Sequence, residues 1–130
     1  MNLDYSVESD RSFADVVADV EKYTAENGFK VLHIHDVQAT LQGKGFESEP
    51  LKIIEICNAK FAHEALSKDI AVSLFMPCKV NVYTENGKTK IKAMRPALIA
   101  EYFPKAGLEK LALEADTIVT TIVDKAAKGE

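Results

Sequence analysis

The chain has 130 residues, of which 47% are hydrophobic and 28% charged, and its net charge is −4. This composition excludes intrinsic disorder, a collagen-like repeat and a small disulfide scaffold; it suits one domain, residues 1–130, that buries roughly two-thirds of its surface. The acidic balance also argues against a dedicated nucleic-acid binder, which shows a basic excess.

Met1–Asp10 carries three acids and no base, unlike the basic start and apolar core of a secretory signal. No apolar run approaches the ~20 residues of a membrane span. The expectation is a cytoplasmic protein, with no membrane partner, whose two cysteines are thiols.

Residues 2–8 alternate weakly and suit a first strand. Ser12, with Asp15 three residues later, resembles a helix capping box. Phe13, Val16, Val17, Val20 and Thr24 then share a helical stripe, and Asn27-Gly28 stops it. Phe29–His35 reads as a second strand. Asp36 caps a short helix through Leu41, and Gly43 and Gly45 break the chain.

Leu51–Cys57 is a third strand, apolar on both faces except at Lys52 and Glu55, the pattern of a central, covered strand. Asn58 caps a helix over residues 59–67. Residues 69–77 read as a loop or short strand that stops at Pro77.

The 78–94 unit is the clearest. Cys78–Thr84 and Lys88–Met94 flank Asn86-Gly87, a strong two-residue hairpin signal. That turn sets Val82 opposite Ile91 and Val80 opposite Ala93. Cys78, Val80, Val82, Ile91 and Ala93 then point inward, while Lys79, Asn81, Tyr83, Lys88, Lys90 and Lys92 take the other face.

Pro96 opens a short helix bearing Leu98, Ile99, Tyr102 and Phe103. Residues 107–127 form a long final helix of about 30 Å. Its stripe is Leu108, Leu111, Ala115, Ile118, Val119, Ile122, Val123 and Ala126. The tight hairpin demands antiparallel pairing. The expected fold is therefore α+β: one mainly antiparallel sheet of about five strands, with helices packed on one face and a long C-terminal helix.

The segment Glu55–Pro96 resembles the family called domain of unknown function 302. The resemblance rests on Ile56-Cys57-Asn58, then Ala62 and Leu66. Met76-Pro77-Cys78-Lys79-Val80-Asn81-Val82-Tyr83 follows, and then the Asn86-Gly87 turn with Thr89 and Ile91. Ala59 stands where the family often has Pro, and Met76 where it often has Leu. The likeness spans residues 13–96 and leaves out the C-terminal helices at 96–127. It implies a small α+β domain, often homodimeric, with no assigned activity and no catalytic residue.

Several residue groups are candidates for chemistry. Cys57 ends a strand just before the Asn58 cap, where helix amides favour thiolate. Cys78 begins a strand after Pro77. Two strand-end cysteines that meet at one sheet edge can form a redox pair, carry a persulfide or bind a soft metal; otherwise both are small buried hydrophobes. Their 21-residue separation is no zinc signature. Glu55, between Ile54 and Ile56 and on the face of Cys57, would have a raised pKa and acid–base capacity if unpaired; the plainer reading pairs it with Lys52 or a hairpin lysine. His33 and His35 share a strand face and can chelate a metal with Asp36 or His63, but a solvated polar face is simpler, and no bound metal is expected there.

Lys79, Lys88, Lys90 and Lys92 stripe the hairpin beside Tyr83 within a segment, residues 51–96, of net charge +4. Such a stripe either attracts an acidic partner or protects a sheet edge, and the second reading is preferred.

The leading expectation is a cytoplasmic, homodimeric binding or interaction module, not an enzyme. Its partner is an unknown small ligand or protein, and no cofactor is implied. One alternative is a thiol-dependent redox, sulfur-transfer or soft-metal-handling protein using Cys57 and Cys78. The other is an enzyme with Glu55, His33 or His35 as acid–base groups.

Overall fold

The structure is a computed structural model that describes residues 1–130. Its architecture starts from the Asn86-Gly87 turn. Both residues have positive φ, 54° and 76°, as a two-residue turn matched to strand twist requires. The turn joins β4 (Cys78–Glu85) to β5 (Lys88–Met94) and sets Val82 opposite Ile91 and Val80 opposite Ala93. This is the register expected from the turn.

Three more strands complete the sheet: β1 (Asp4–Ser9), β2 (Lys30–Asp36) and β3 (Leu51–Cys57). The order is β1-β5-β4-β3-β2, antiparallel at every pairing. The two edge strands therefore run parallel to each other, and α1 (Phe13–Glu26) crosses one sheet face to connect them. Ser12 caps α1 by accepting the Asp15 N–H, and Asp36 and Asn58 likewise cap α2 (Val37–Gln42) and α3 (Ala59–Lys68).

α5 (Glu109–Lys128) lies against α1, β1 and β5 on the same face. Between these helices and the sheet sits the main core. Val16 and Val20 of α1 meet Ile122 and Val123 of α5 above Ile54, Ile56, Val80, Val82 and Ile91, all fully buried. Each such side chain contributes about 1.5–3 kcal/mol on burial. Ile118, expected in this set, is only partly buried and packs on the rim.

Residues 69–77 are neither loop nor strand. A 3-10 helix spans Ile70–Phe75, and Asp69 starts it by accepting the Ala71 N–H at 2.9 Å. A three-residue period turns Val72 and Phe75 inward, while Ile70 and Leu74 stay exposed. With Ala65 of α3 and Leu108, Val72 makes a second, smaller core at one end of the sheet. α4 (Leu98–Tyr102) packs alongside α5.

On the opposite sheet face, Leu51, Ile53 and Tyr83 are half-buried and surrounded by charged side chains. A β-bulge lies between Val31 and His33, and Leu32 is exposed at the β2 edge. No helix of the protein is long and apolar enough to cross a membrane.

Candidate functional site

Ile56 and Cys78 are cross-strand partners of β3 and β4. Cys57, the next residue of β3, is therefore set beside Cys78 at the end of the sheet. Asn58 fixes the exit from β3 in two ways. Its Oδ1 accepts the Phe61 N–H at 3.1 Å, and its Nδ2 donates to the Gly28 carbonyl at 2.9 Å. Phe61 is thereby turned toward Phe29, with ring centroids 5.9 Å apart.

These residues wall a cavity of about 50 Å³ between the sheet end, α3, the 3-10 helix and α5. Fourteen of its seventeen lining residues are hydrophobic, and both thiols are among the lining. Both cysteines are free and half-buried. The walls contributed by Met76, Phe75, Leu108 and Leu111 were not visible as a group in the sequence, because they come from two segments about thirty residues apart.

The electrostatics of the pair reverse one expectation. Burial pushes the Cys57 thiol above its usual range, although it stands at a helix N-terminus. Loss of water outweighs the helix amides there. Burial pushes Cys78 further, to about 11; the nearby Cys57 adds to the rise and Lys79 opposes it. Both groups are thus neutral thiols near pH 7, not activated thiolates.

Glu55 is not part of this cavity. It lies on the outer sheet face, where its Oε1 is 3.3 Å from His35 Nε2 and its cross-strand partners are His33 and Lys79. The His33 and His35 rings meet edge to face at 4.3 Å. The partner of Glu55 is thus a histidine, where a lysine was the plainer expectation; Lys52 lies on the other face, near the Phe13 ring. Asp36 is occupied as a helix cap and His63 is exposed on α3. No cluster of three or more His, Cys, Asp or Glu side chains is arranged to hold a metal ion.

The lysine stripe is largely neutralised. Lys88 pairs with Glu8 at 3.3 Å, Lys90 with Glu85 at 2.7 Å and Lys92 with Asp4 at 3.9 Å. The acids of β1, which lies beside β5, were the element that a segment-by-segment charge count could not place.

A family described as a domain of unknown function, DUF302, matches residues 5–126. The match takes in the C-terminal helices, which the resemblance at residues 13–96 left out. Among solved structures, the chain is similar to an uncharacterized conserved protein, DUF302, from Bacillus stearothermophilus. The two share 29% identity with a TM-score of 0.90, over 97% of this chain and 99% of the other. No curated protein matches. On the extent of the family match, the chain belongs to the DUF302 family of proteins of unknown function.

Proposed function

We propose that the protein is a homodimeric, cytoplasmic binding module whose ligand occupies the cavity walled by Cys57 and Cys78. The observation that carries this reading is the cavity itself: an apolar, concave space whose lining residues include two cysteines with raised thiol pKa values. Apolar concavities with a few convergent polar groups are the usual form of ligand sites. A space of about 50 Å³ holds only a few water-sized atoms, so the occupant, or the part of it that enters, is small.

Two further observations separate this from the enzymatic readings. Neutral thiols lack the depressed pKa of a nucleophilic cysteine. Glu55 and the histidines lie on the other side of the sheet from the inward core and line no part of the cavity. The dimer is supported by the sheet face opposite α1 and α5. Its half-buried Leu51, Ile53 and Tyr83 lie among lysines and acids that alternate in sign, which suits pairing with a second copy. A reducing cytoplasm keeps both thiols free.

Xenon, a probe for small apolar cavities, tests the site. Under xenon pressure, amide NMR signals of Cys57, Phe61 and Cys78 should shift, and Ala62→Phe, which fills the space, should remove the response. Shifts that avoid these residues, or that persist in the filled variant, would refute the cavity as a binding site.

A further inference from the structure

The walls of the cavity offer almost nothing to a polar guest. Asn58 is its one amide side chain, and both ends of that amide are engaged, Oδ1 by the Phe61 N–H and Nδ2 by the Gly28 carbonyl. The N–H groups of Ala62, Met76, Ile99 and Ala112 already donate to the carbonyls of Asn58, Ser73, Pro96 and Leu108. Pro77 and Pro96 have no N–H to give. The two side chains with an unpaired buried polar atom, Thr24 and Asn81, are not part of the lining. What remains is the pair of cysteine thiols, which are weak donors, and no charged side chain. A polar or charged group that entered would lose its water and find no partner, a cost that excludes it.

Size and surroundings narrow the guest further. The space, about 50 Å³, is smaller than the roughly 150 Å³ of an apolar cavity that admits benzene, so a thin chain fits where a ring does not. Met76, unbranched and flexible, can adjust its part of the wall to such a chain. Phe75 carries the apolar wall outward. Its ring lies 5.5 Å from that of Tyr102 and 5.8 Å from that of Phe103, and Tyr102 is 66% exposed. A chain that leaves the cavity past Phe75 therefore meets ring surface before it meets water. Each carbon buried inside gives about fourfold in affinity, and only a few fit, so a guest binds well only by lying on the rings as well. Resting on the cavity as the ligand site, we infer that the ligand is a free, single-chain amphiphile whose unbranched alkyl end enters the cavity while its polar head stays in water beyond Tyr102. A bilayer lipid offers the same alkyl chemistry, but a net charge of −4 and hairpin lysines paired with acids give no attraction to an anionic membrane surface.

Titration of the full chain with straight-chain alcohols, followed by amide NMR, tests the assignment. Octanol should shift the signals of Phe61, Ala62 and Met76 and bind more tightly than butanol, by up to about fourfold per added methylene. Octanediol, with a hydroxyl at each end, should bind at least ~10-fold more weakly than octanol. Benzyl alcohol should leave the cavity signals unmoved. Tyr102→Ser, at an exposed position, should weaken octanol severalfold and leave butanol unchanged. The diol comparison uses the wild type and does not depend on a variant that folds. Octanediol or benzyl alcohol matching octanol, or octanol binding that ignores Tyr102→Ser, would overturn the inference. The chain should not sediment with phosphatidylcholine–phosphatidylserine vesicles; if it does, the alkyl end belongs to a bilayer lipid and the free ligand is refuted. If the alcohols fail while xenon still perturbs Cys57 and Cys78, the alkyl-chain inference falls and the binding cavity stands. If both fail, both fall.

Discussion

Arg95 holds Asp116 with two parallel bonds, Nη2 to Oδ2 at 2.7 Å and Nε to Oδ1 at 3.2 Å, and Asp116 is only 3% exposed within α5. The same carboxylate accepts the Ala97 N–H at 3.2 Å. The segment leaving β5 is thereby tied to the middle of α5. Pro96 and Ala115, the neighbours of Arg95 and Asp116 in sequence, both line the cavity, so the ion pair fixes two of its walls.

Removing the acid leaves Arg95 and the Ala97 N–H without their partner. Asp116→Ala should therefore cost about 3–5 kcal/mol, read as a lowered urea midpoint. Asp116→Asn keeps the shape and part of the hydrogen bonding and should cost less. A loss under ~1 kcal/mol for the alanine variant would show that the pair does not hold this corner.

The buried hairpin face gives a second test. Ile91→Ala, in the fully buried core, should cost about 2–5 kcal/mol. Leu113→Ala, at a side chain 62% exposed on α5, should stay within about 0.5 kcal/mol. Equal costs at the two positions would contradict the placement of α5.

Much of this was legible because the signals are local. Asn86-Gly87 dictates the turn, the turn dictates the partner of Val82, and a period of two then sorts every hairpin side chain. Ser12, Asp36 and Asn58 announce their helices through one side-chain oxygen each. The 3-10 helix at Ile70–Phe75 was not legible, since six residues at a period of three resemble a short apolar run. Asp116 was hidden too: in a helix pattern it reads as a surface acid, and its partner lies 21 residues away. That Cys57 and Cys78 meet at one sheet end followed from strand boundaries. The cavity around them did not, because Met76, Leu108 and Leu111 converge only through tertiary packing. At Cys57 burial raises the thiol pKa, opposite in direction to the helix-end effect expected there.

Raised thiol pKa values make stability depend on alkaline pH. A folded pKa of about 11 against 9.0 for the ordinary thiol at Cys78 means that the folded chain holds its proton more tightly than the unfolded one. The contribution is fully present below pH 9 and is lost progressively as pH rises through about 11. Two pKa units correspond to about 2–3 kcal/mol. The stability difference between wild type and Cys78→Ala should therefore shrink by roughly this amount between pH 8 and pH 11. A constant difference would show that Cys78 is not desolvated.

The sheet face opposite α1 and α5 predicts assembly. Light scattering should return twice the 14.3 kDa chain mass at micromolar concentration, and Ile53→Glu, which adds a charge at the middle of that face, should shift the protein to monomer. A wild-type mass near 14.3 kDa would reject the dimer.

The central claim is that Cys57 and Cys78 are the neutral walls of a ligand cavity and not an activated thiol centre. Native-state alkylation near pH 7.5, resolved by mass spectrometry and compared with the chain unfolded in denaturant, tests it most directly. Both cysteines should react more slowly in the folded protein than in the unfolded one, with Cys57 ahead of Cys78 and Cys78 slowed by about 100-fold or more through its pKa alone. Native Cys57 reacting faster than the same thiol in the unfolded chain would reveal a stabilised thiolate, contradict the binding account and favour the thiol-dependent redox or sulfur-transfer reading.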